Sequence, residues 1–200
     1  MTAQQVQDKA EAINREFGRF DPAKRHLFQI EIPNTMFTLY LYESLGIEIA
    51  LSNAEIDTVF WDAAAPGAPT EGIKDFLHYL KDKGIRTGVI SNIAYAPSVV
   101  ADRINSLLPD NDFEFIITSS NYIFRKPNKR LFNLALEKAD LQADEVWYIG
   151  DQYECDIKGA LQAGLFPVWY IGAIDLPYTE DGSILTVTDW KELWRQMEEC

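Results

Sequence analysis

The chain has 200 residues, of which 47% are hydrophobic and 24% charged, enough for one hydrophobic core with or without a small accessory domain. Its net charge of −13 argues against nucleic acid or an anionic membrane as a partner, because both require a basic surface. The two cysteines provide no disulfide framework, and no apolar run is long enough to cross a bilayer. The N-terminus lacks the pattern of a signal peptide, so we expect a soluble cytoplasmic protein.

The first third of the chain is predicted to be mainly helical. Apolar residues recur with a helical period between residues 6 and 17, and a second helix is expected at about 35–44. Ser52 and Glu55 have the spacing of a capping box, which predicts the start of a third helix. The stretch 28–32 alternates like a strand, and its sequence alone does not assign it.

Helices and strands are expected to alternate after a proline- and glycine-rich linker at about 63–70. Such alternation predicts an α/β fold of the Rossmann-like, doubly wound kind, with a parallel sheet. We therefore divide the chain into a helical region, 1–66, and an α/β region, 67–200. Strands are predicted at 85–90, 113–118, 146–149 and 167–171, and helices at 97–108, 128–139, 154–163 and 189–198.

Polar side chains follow three of these predicted strands. Ser91 and Asn92 come after the first strand, Lys126 precedes the helix that follows the second, and Asp151 and Asp156 follow the third. The carboxyl ends of parallel strands are where α/β proteins bind ligands, and two acids there suit Mg²⁺. Pro127 suits the first position of the next helix, which would place Lys126 just ahead of that helix at the same edge of the sheet. Each residue also has an ordinary explanation: the acids as helix caps, the Ser-Asn pair as a turn, and the lysine as a surface residue.

The order Ser-Asn, Lys-Pro and Gly-Asp-x4-Asp resembles the haloacid dehalogenase (HAD) superfamily, over roughly residues 50–172. The resemblance implies that Ser91 and Asn92 hold a transferring phosphoryl group and that Lys126 stabilises its charge. It also implies that Asp151 ligates Mg²⁺ and that Asp156 supports the metal directly or through water. The helical region 1–66 is similar to the cap of phosphoglycolate-phosphatase-like members.

The chain departs from this family at the nucleophile. Family members begin with a strand ending Asp-x-Asp-x-Thr, whose first Asp attacks phosphorus and whose second acts as general acid and base, and this sequence contains no such motif. The strand that carries it normally lies between the 85–90 and 146–149 strands. Without that strand the two should lie about 10 Å apart, twice the usual strand spacing.

Three explanations remain open. The chain begins inside a longer protein whose upstream strand carries the nucleophile. Alternatively, it lacks the strand and serves as a non-catalytic binding or interaction protein, with the gap filled by 28–32 or by a second subunit of a homo-oligomer. In the third, residues 58–62 form a degenerate first strand with Asp62 as the nucleophile.

We expect an HAD-like hydrolase whose family activity is the Mg²⁺-dependent hydrolysis of a small phosphorylated metabolite. The expected partner is therefore that substrate or phosphate itself, and not nucleic acid or a membrane. Because the nucleophile motif is missing, we expect the chain itself to be inactive.

Overall fold

The computed structural model describes residues 1–16, 29–173 and 182–199. Its first helices are α1 (Ala3–Glu16), α2 (Asn34–Ser44) and α3 (Asn53–Ala64), as predicted, although residue 17 lies outside the described residues. The capping box that begins α3 is present: the Ser52 hydroxyl accepts from the Glu55 amide at 3.3 Å, and the Glu55 carboxylate accepts from the Ser52 amide at 2.8 Å.

Helices and strands alternate from residue 73 onward, which confirms the predicted α/β pattern. The elements are α4 (Ile73–Asp82), β1 (Thr87–Ser91), α5 (Pro97–Leu107), β2 (Phe113–Thr118), α6 (Ser119–Tyr122), α7 (Lys129–Ala139), β3 (Trp147–Gly150), α8 (Lys158–Ala163), β4 (Phe166–Tyr170), β5 (Leu185–Val187) and α9 (Trp190–Glu198). The three-residue strand β5 was not predicted.

Two helix starts differ from the prediction. Helix α7 begins at Lys129, because the Asn128 side chain caps it by accepting from the Arg130 amide at 3.1 Å. Pro127 is therefore not its first residue. The helix expected from residue 154 begins instead with a wide π-type turn, Tyr153–Ile157, and becomes α-helical only at α8.

The five strands form two parallel sheets and not one continuous sheet. β1 pairs with β2 in the first sheet, and the second has the order β3-β4-β5. Within the described ranges, no strand pairs with the second edge of β1 or of β3. The two sheets therefore meet where the sequence predicted a missing strand.

The two candidate replacements for that strand lie elsewhere. Ile30 forms an antiparallel bridge with Phe124, and the Arg125 amide donates to the Gln29 carbonyl at 2.9 Å. Residues 29–32 thus pair with the segment after α6, so the prediction that 28–32 fills the gap is wrong for its described part; residue 28 lies outside the described residues.

The proposed degenerate strand at 58–62 is also wrong, because these residues belong to α3. The capping box at Ser52 commits this segment to a helix. The Asp62 carboxylate forms an ion pair with Arg103 and its side chain is 61% exposed, so it is a surface residue of that helix.

Buried apolar side chains pack the helices against the sheets. One cluster joins α4 and α9 to the second sheet through residues that include Phe76, Val168, Val187 and Leu193. A second joins α7 and α8 through Phe132, Ala160 and Leu165. In the part of the chain that the structure describes, no helix combines the length and apolar character needed to cross a membrane.

The N-terminal helices are held to the loop after β1 by Asp57, a fully buried residue of α3. One carboxylate oxygen accepts from the Asn34 side chain at 2.6 Å, and the other accepts from the Ala96 amide at 2.7 Å. The backbone N–H of Asn34 in turn donates to the Ala94 carbonyl at 2.8 Å. This carboxylate therefore joins α2, α3 and the β1–α5 loop at one point.

Candidate active site

Lys126 joins the two sheets at the carboxyl end of β1. Its Nζ donates to the Ile90 carbonyl of β1 at 3.0 Å and to the Tyr148 hydroxyl of β3 at 2.9 Å. It also lies 2.6 Å from Oδ1 of Asp156, and the two side chains are only 11% and 3% exposed. The site is therefore organised around a largely buried ion pair.

The surroundings of Lys126 keep it protonated. Burial alone lowers the pKa of Lys126, but Tyr148 and Asp156 more than offset this effect, so that the pKa is raised overall. Burial also raises the pKa of the Tyr148 hydroxyl. Tyr148 thus remains a neutral O–H that donates to Oδ1 of Asp156 at 3.2 Å.

Asn92 positions the backbone of Lys126. Its Nδ2 donates to the Lys126 carbonyl at 2.9 Å, and its Oδ1 accepts from the Lys126 amide at 2.7 Å. The side chain thereby forms with the N–H and C=O groups of Lys126 the two hydrogen bonds that a neighbouring strand would form. This positioning role was not predicted, and the role of Asn92 in phosphate binding stays a prediction.

Ser91 is the last residue of β1 and is partly buried at the same end of the sheet. Among the described residues, none forms a hydrogen bond with its hydroxyl. A hydroxyl in this position can donate to an anionic ligand or accept from a cationic one. The structure thus leaves its predicted role open.

Asp156 is buried inside the π-type turn, and both of its carboxylate oxygens contact protein groups. Its second oxygen, Oδ2, accepts from the Gln152 amide at 3.0 Å, while Oδ1 contacts Lys126 and Tyr148. This turn bends the chain back so that the carboxylate of Asp156 reaches the end of β3. The Asp156 carboxylate therefore serves mainly to position the Lys126 ammonium.

Asp151 follows β3 directly and is partly buried. Burial is the main cause that raises the pKa of its carboxyl, and the nearby charge of Asp156 raises it further. Its carbonyl accepts from the Trp169 indole at 3.0 Å, which fixes the backbone to β4. The negative charge of Asp156 beside the Asp151 carboxyl would favour a cation bound at Asp151.

These two acids make a partial cation site. Mg²⁺ is commonly held by one or two carboxylates, with water and substrate phosphate completing its shell. Asp151 fits that pattern as a ligand, and Asp156, whose Oδ2 accepts only one hydrogen bond, fits it directly or through water. No group of three or more acidic, histidine or cysteine side chains is gathered for a metal among the described residues.

Gly150 allows Asp156 to approach β3. A Cβ at this position would overlap Cβ and Cγ of Asp156 and lie 2.7 Å from its Oδ2. We expect Gly150→Ala to lower the free energy of unfolding by about 1–3 kcal/mol, as overpacking commonly does. Gly182→Ala is the matched control, because nothing lies within 4 Å of its Cβ position. Equal urea midpoints for the two variants would contradict this close-approach role.

The structure places all five predicted residues at the carboxyl ends of β1 and β3 or beside them. It joins Lys126 to Asn92 and Asp156 by hydrogen bonds and an ion pair, whereas the side chains of Ser91 and Asp151 form neither with Lys126 or Asp156. Sequence reasoning missed Tyr148, which links Lys126 to Asp156. Its position in an apolar strand gave no signal of a polar role.

A parallel α/β fold whose candidate site lies at the carboxyl ends of its strands is typical of α/β ligand-binding proteins and enzymes. The model of the haloacid dehalogenase-like hydrolases matches residues 3–164, and the chain belongs to this family. The chain is 28% identical over 131 residues to a glyceraldehyde 3-phosphate phosphatase of Pyrococcus furiosus; this match covers 64% of the chain and 53% of the relative. The chain spans about half the length of the curated relatives it matches.

Solved structures show the same fold. A HAD phosphatase from Thermococcus onnurineus matches with a TM-score of 0.64 at 19% identity, covering 96% of this chain and 86% of that one. The HAD hydrolase YfnB from Bacillus subtilis, described as bound to magnesium, matches with a TM-score of 0.58 at 20% identity, covering 99% and 84%. The HAD-like α/β fold expected from the sequence is thus confirmed.

Proposed function

We propose that the chain supplies the phosphate-handling part of a Mg²⁺-dependent hydrolase that acts on small phosphorylated metabolites. The observation that carries this proposal is the buried Lys126–Asp156 pair beside Asp151 at the ends of β1 and β3. Membership of a hydrolase family and similarity to a sugar-phosphate phosphatase support the substrate class.

In this proposal, three residues handle the phosphoryl group. The Ser91 hydroxyl and the backbone after it donate hydrogen bonds to its oxygens, and Asn92 keeps the Lys126 peptide in place. The Lys126 ammonium then stabilises charge that develops during transfer. Asp156 and Tyr148 orient that ammonium, so its position does not need to reorganise when the substrate arrives.

Asp151 would hold Mg²⁺ directly, and Asp156 would support it directly or through water. When bound, the cation supplies charge neutralisation and polarisation of the phosphoryl oxygens. We further propose that residues 1–66 form the cap and that residues 67–200 form the core. Asp57 supports a functional link between them, because it ties the helical region to the loop directly after Ser91 and Asn92.

A second candidate is a non-catalytic binding protein with the same site. It is favoured by the lack of an Asp-x-Asp-x-Thr motif in the sequence and by the absence, within the described ranges, of a strand between β1 and β3. Both candidates share the expectation that this chain alone binds phosphate without turning over a phosphoester.

We expect no hydrolysis of p-nitrophenyl phosphate above background by the purified chain with Mg²⁺, because the sequence lacks the Asp-x-Asp-x-Thr motif whose first Asp attacks phosphorus. The measurement is release of p-nitrophenol at saturating substrate, with an active phosphatase as positive control. Turnover that persists through purification and disappears in Asp62→Asn would contradict this expectation and make Asp62 the nucleophile.

We expect Lys126→Met to weaken the binding of inorganic phosphate with Mg²⁺ at least about tenfold, since it removes the buried cation. Isothermal titration calorimetry measures this change, and circular dichroism checks the fold. Lys158→Met is the matched control, because that lysine is about half exposed and its ammonium contacts Glu154 and the Tyr153 ring, not Lys126's partners Tyr148 and Asp156. Lys126→Arg keeps the charge and should retain more affinity. Equal affinity of Lys126→Met and the unmodified chain would overturn the role of Lys126.

A further inference from the structure

Another buried ion pair lies beside the candidate site and has no part in the chemistry proposed above. Glu31 precedes α2, and its side chain is only 1% exposed; the Arg125 guanidinium, 16% exposed, donates to its Oε2. The Ser119 hydroxyl donates to the same oxygen at 2.6 Å. A charge withdrawn from water to this extent is stable only when its partners satisfy it. Glu31 and these two partners therefore form one unit.

Glu31 holds the loop that leads into Lys126. Arg125 is the preceding residue, and its backbone N–H donates to the Gln29 carbonyl at 2.9 Å. The backbone N–H of Glu31 donates in turn to the Ile123 carbonyl. The position of this loop is therefore determined by backbone hydrogen bonds as well as by the buried ion pair.

The same loop contains a strained residue. Ile123 has a φ of 69°, in the left-handed region that a β-branched residue rarely adopts. Such a conformation persists only when the surrounding structure holds it. The Ile123 side chain is 60% exposed, so its own packing contributes little to this support. The hydrogen bond from Glu31 to its carbonyl, and the ion pair two residues later at Arg125, supply the support instead.

Glu31 is also connected to the β1–α5 loop. The Ser119 hydroxyl, which donates to Glu31, accepts from the Ile93 N–H at 2.8 Å. Ile93 comes directly after Asn92, whose side chain forms two hydrogen bonds with the Lys126 backbone. One buried carboxylate is thus linked to both segments whose residues are proposed to handle phosphate.

We infer that Glu31 is a positioning residue for the binding of phosphate and acts through Arg125 and Ser119. Its carboxylate fixes the Lys126 ammonium relative to the β1–α5 loop without touching the phosphate itself. Resting on the proposed function, this role makes the site depend on a residue of the helical region, 1–66.

Glu31→Ala is expected to weaken the binding of inorganic phosphate with Mg²⁺ at least about fivefold, because it frees both Arg125 and Ser119. Isothermal titration calorimetry on the full chain measures the affinity, and circular dichroism checks the fold. Glu31→Gln keeps an acceptor for both partners but loses the charge, so we expect a loss of about threefold. This variant decides the question if Glu31→Ala does not fold. Glu43→Ala, at an exposed position of α2, is the matched control and should bind phosphate as the unmodified chain does.

Two further measurements separate positioning from a general loss of stability. In NMR spectra, the amide signals of Ile93 and Lys126 should shift in Glu31→Gln more than those of β4, because the loops that contain them move. In the Lys126→Met background the ammonium is gone, so Glu31→Gln should leave phosphate affinity unchanged there. In the Lys158→Met background its full effect should remain.

Equal affinity of the two Glu31 variants and the unmodified chain would overturn the inference. An undiminished effect of Glu31→Gln in the Lys126→Met background would do so too, as would amide signals of Ile93 and Lys126 that do not move. Failure of the unmodified chain to bind phosphate would overturn the proposed function and the role of Glu31 together. Binding that Lys126→Met weakens and Glu31→Ala does not would overturn the role of Glu31 alone.

Discussion

Asp156→Ala is expected to lower the free energy of unfolding by about 3–5 kcal/mol, the largest effect of any single substitution considered for this protein. The change leaves the Lys126 ammonium in a largely buried position without its counter-ion, and it also frees the Gln152 amide. Urea unfolding followed by circular dichroism measures the effect.

Glu154→Ala is the matched control within the same turn. Glu154 pairs with Lys158 at 2.7 Å, but both side chains are about half exposed. We expect that change to cost less than about 0.5 kcal/mol, as exposed pairs usually do. The double variant Lys126→Met/Asp156→Ala should recover part of the loss, because no unpaired charge remains. A double variant as unstable as the sum of the two single variants would show that the pair itself adds nothing.

Asp57→Ala is expected to cost about 2–4 kcal/mol, since it leaves the Asn34 side chain and the Ala96 amide without their acceptor. It should also loosen the β1–α5 loop, so that hydrogen exchange at Ala96 accelerates more than exchange in β4. Both readouts come from the same purified variant, by urea unfolding and by exchange monitored with mass spectrometry.

The control for Asp57 is Asp62→Ala on the same helix. Asp62 is 61% exposed and pairs with Arg103, so its loss should cost at most about 1 kcal/mol. If the two alanine variants unfold at the same urea concentration, the buried carboxylate does not anchor the helical region.

Local patterns predicted much of the secondary structure. Ser52 and Glu55 are three residues apart and satisfy each other's amides, so the start of α3 depends on nothing distant. The strand Phe113–Thr118 was predicted to the residue, because aromatic and β-branched residues are concentrated there between two turn segments. β5 was missed because its three residues become a strand only by pairing with β4.

Long-range contacts decide the features that were not predicted. Nothing in the sequence near Asp57 distinguishes it from the exposed Asp62 five residues later, because its partners lie 23 and 39 residues away. The candidate site was predicted to the level of its strand ends, since Ser91, Lys126 and Asp151 each stand at a recognisable junction. The hydrogen bonds between the Asn92 side chain and the Lys126 backbone join residues 34 apart in the sequence. No local sequence pattern predicts them.

Because Lys126 bonds to both sheets, the distance between the sheets and the position of the Lys126 ammonium in the site change together. Its ammonium touches the Ile90 carbonyl on one side and Tyr148 and Asp156 on the other. Any event that widens or narrows the interval between β1 and β3 must therefore stretch or tilt this lysine relative to Ser91. The affinity of the site for an anion should therefore depend on the distance between β1 and β3.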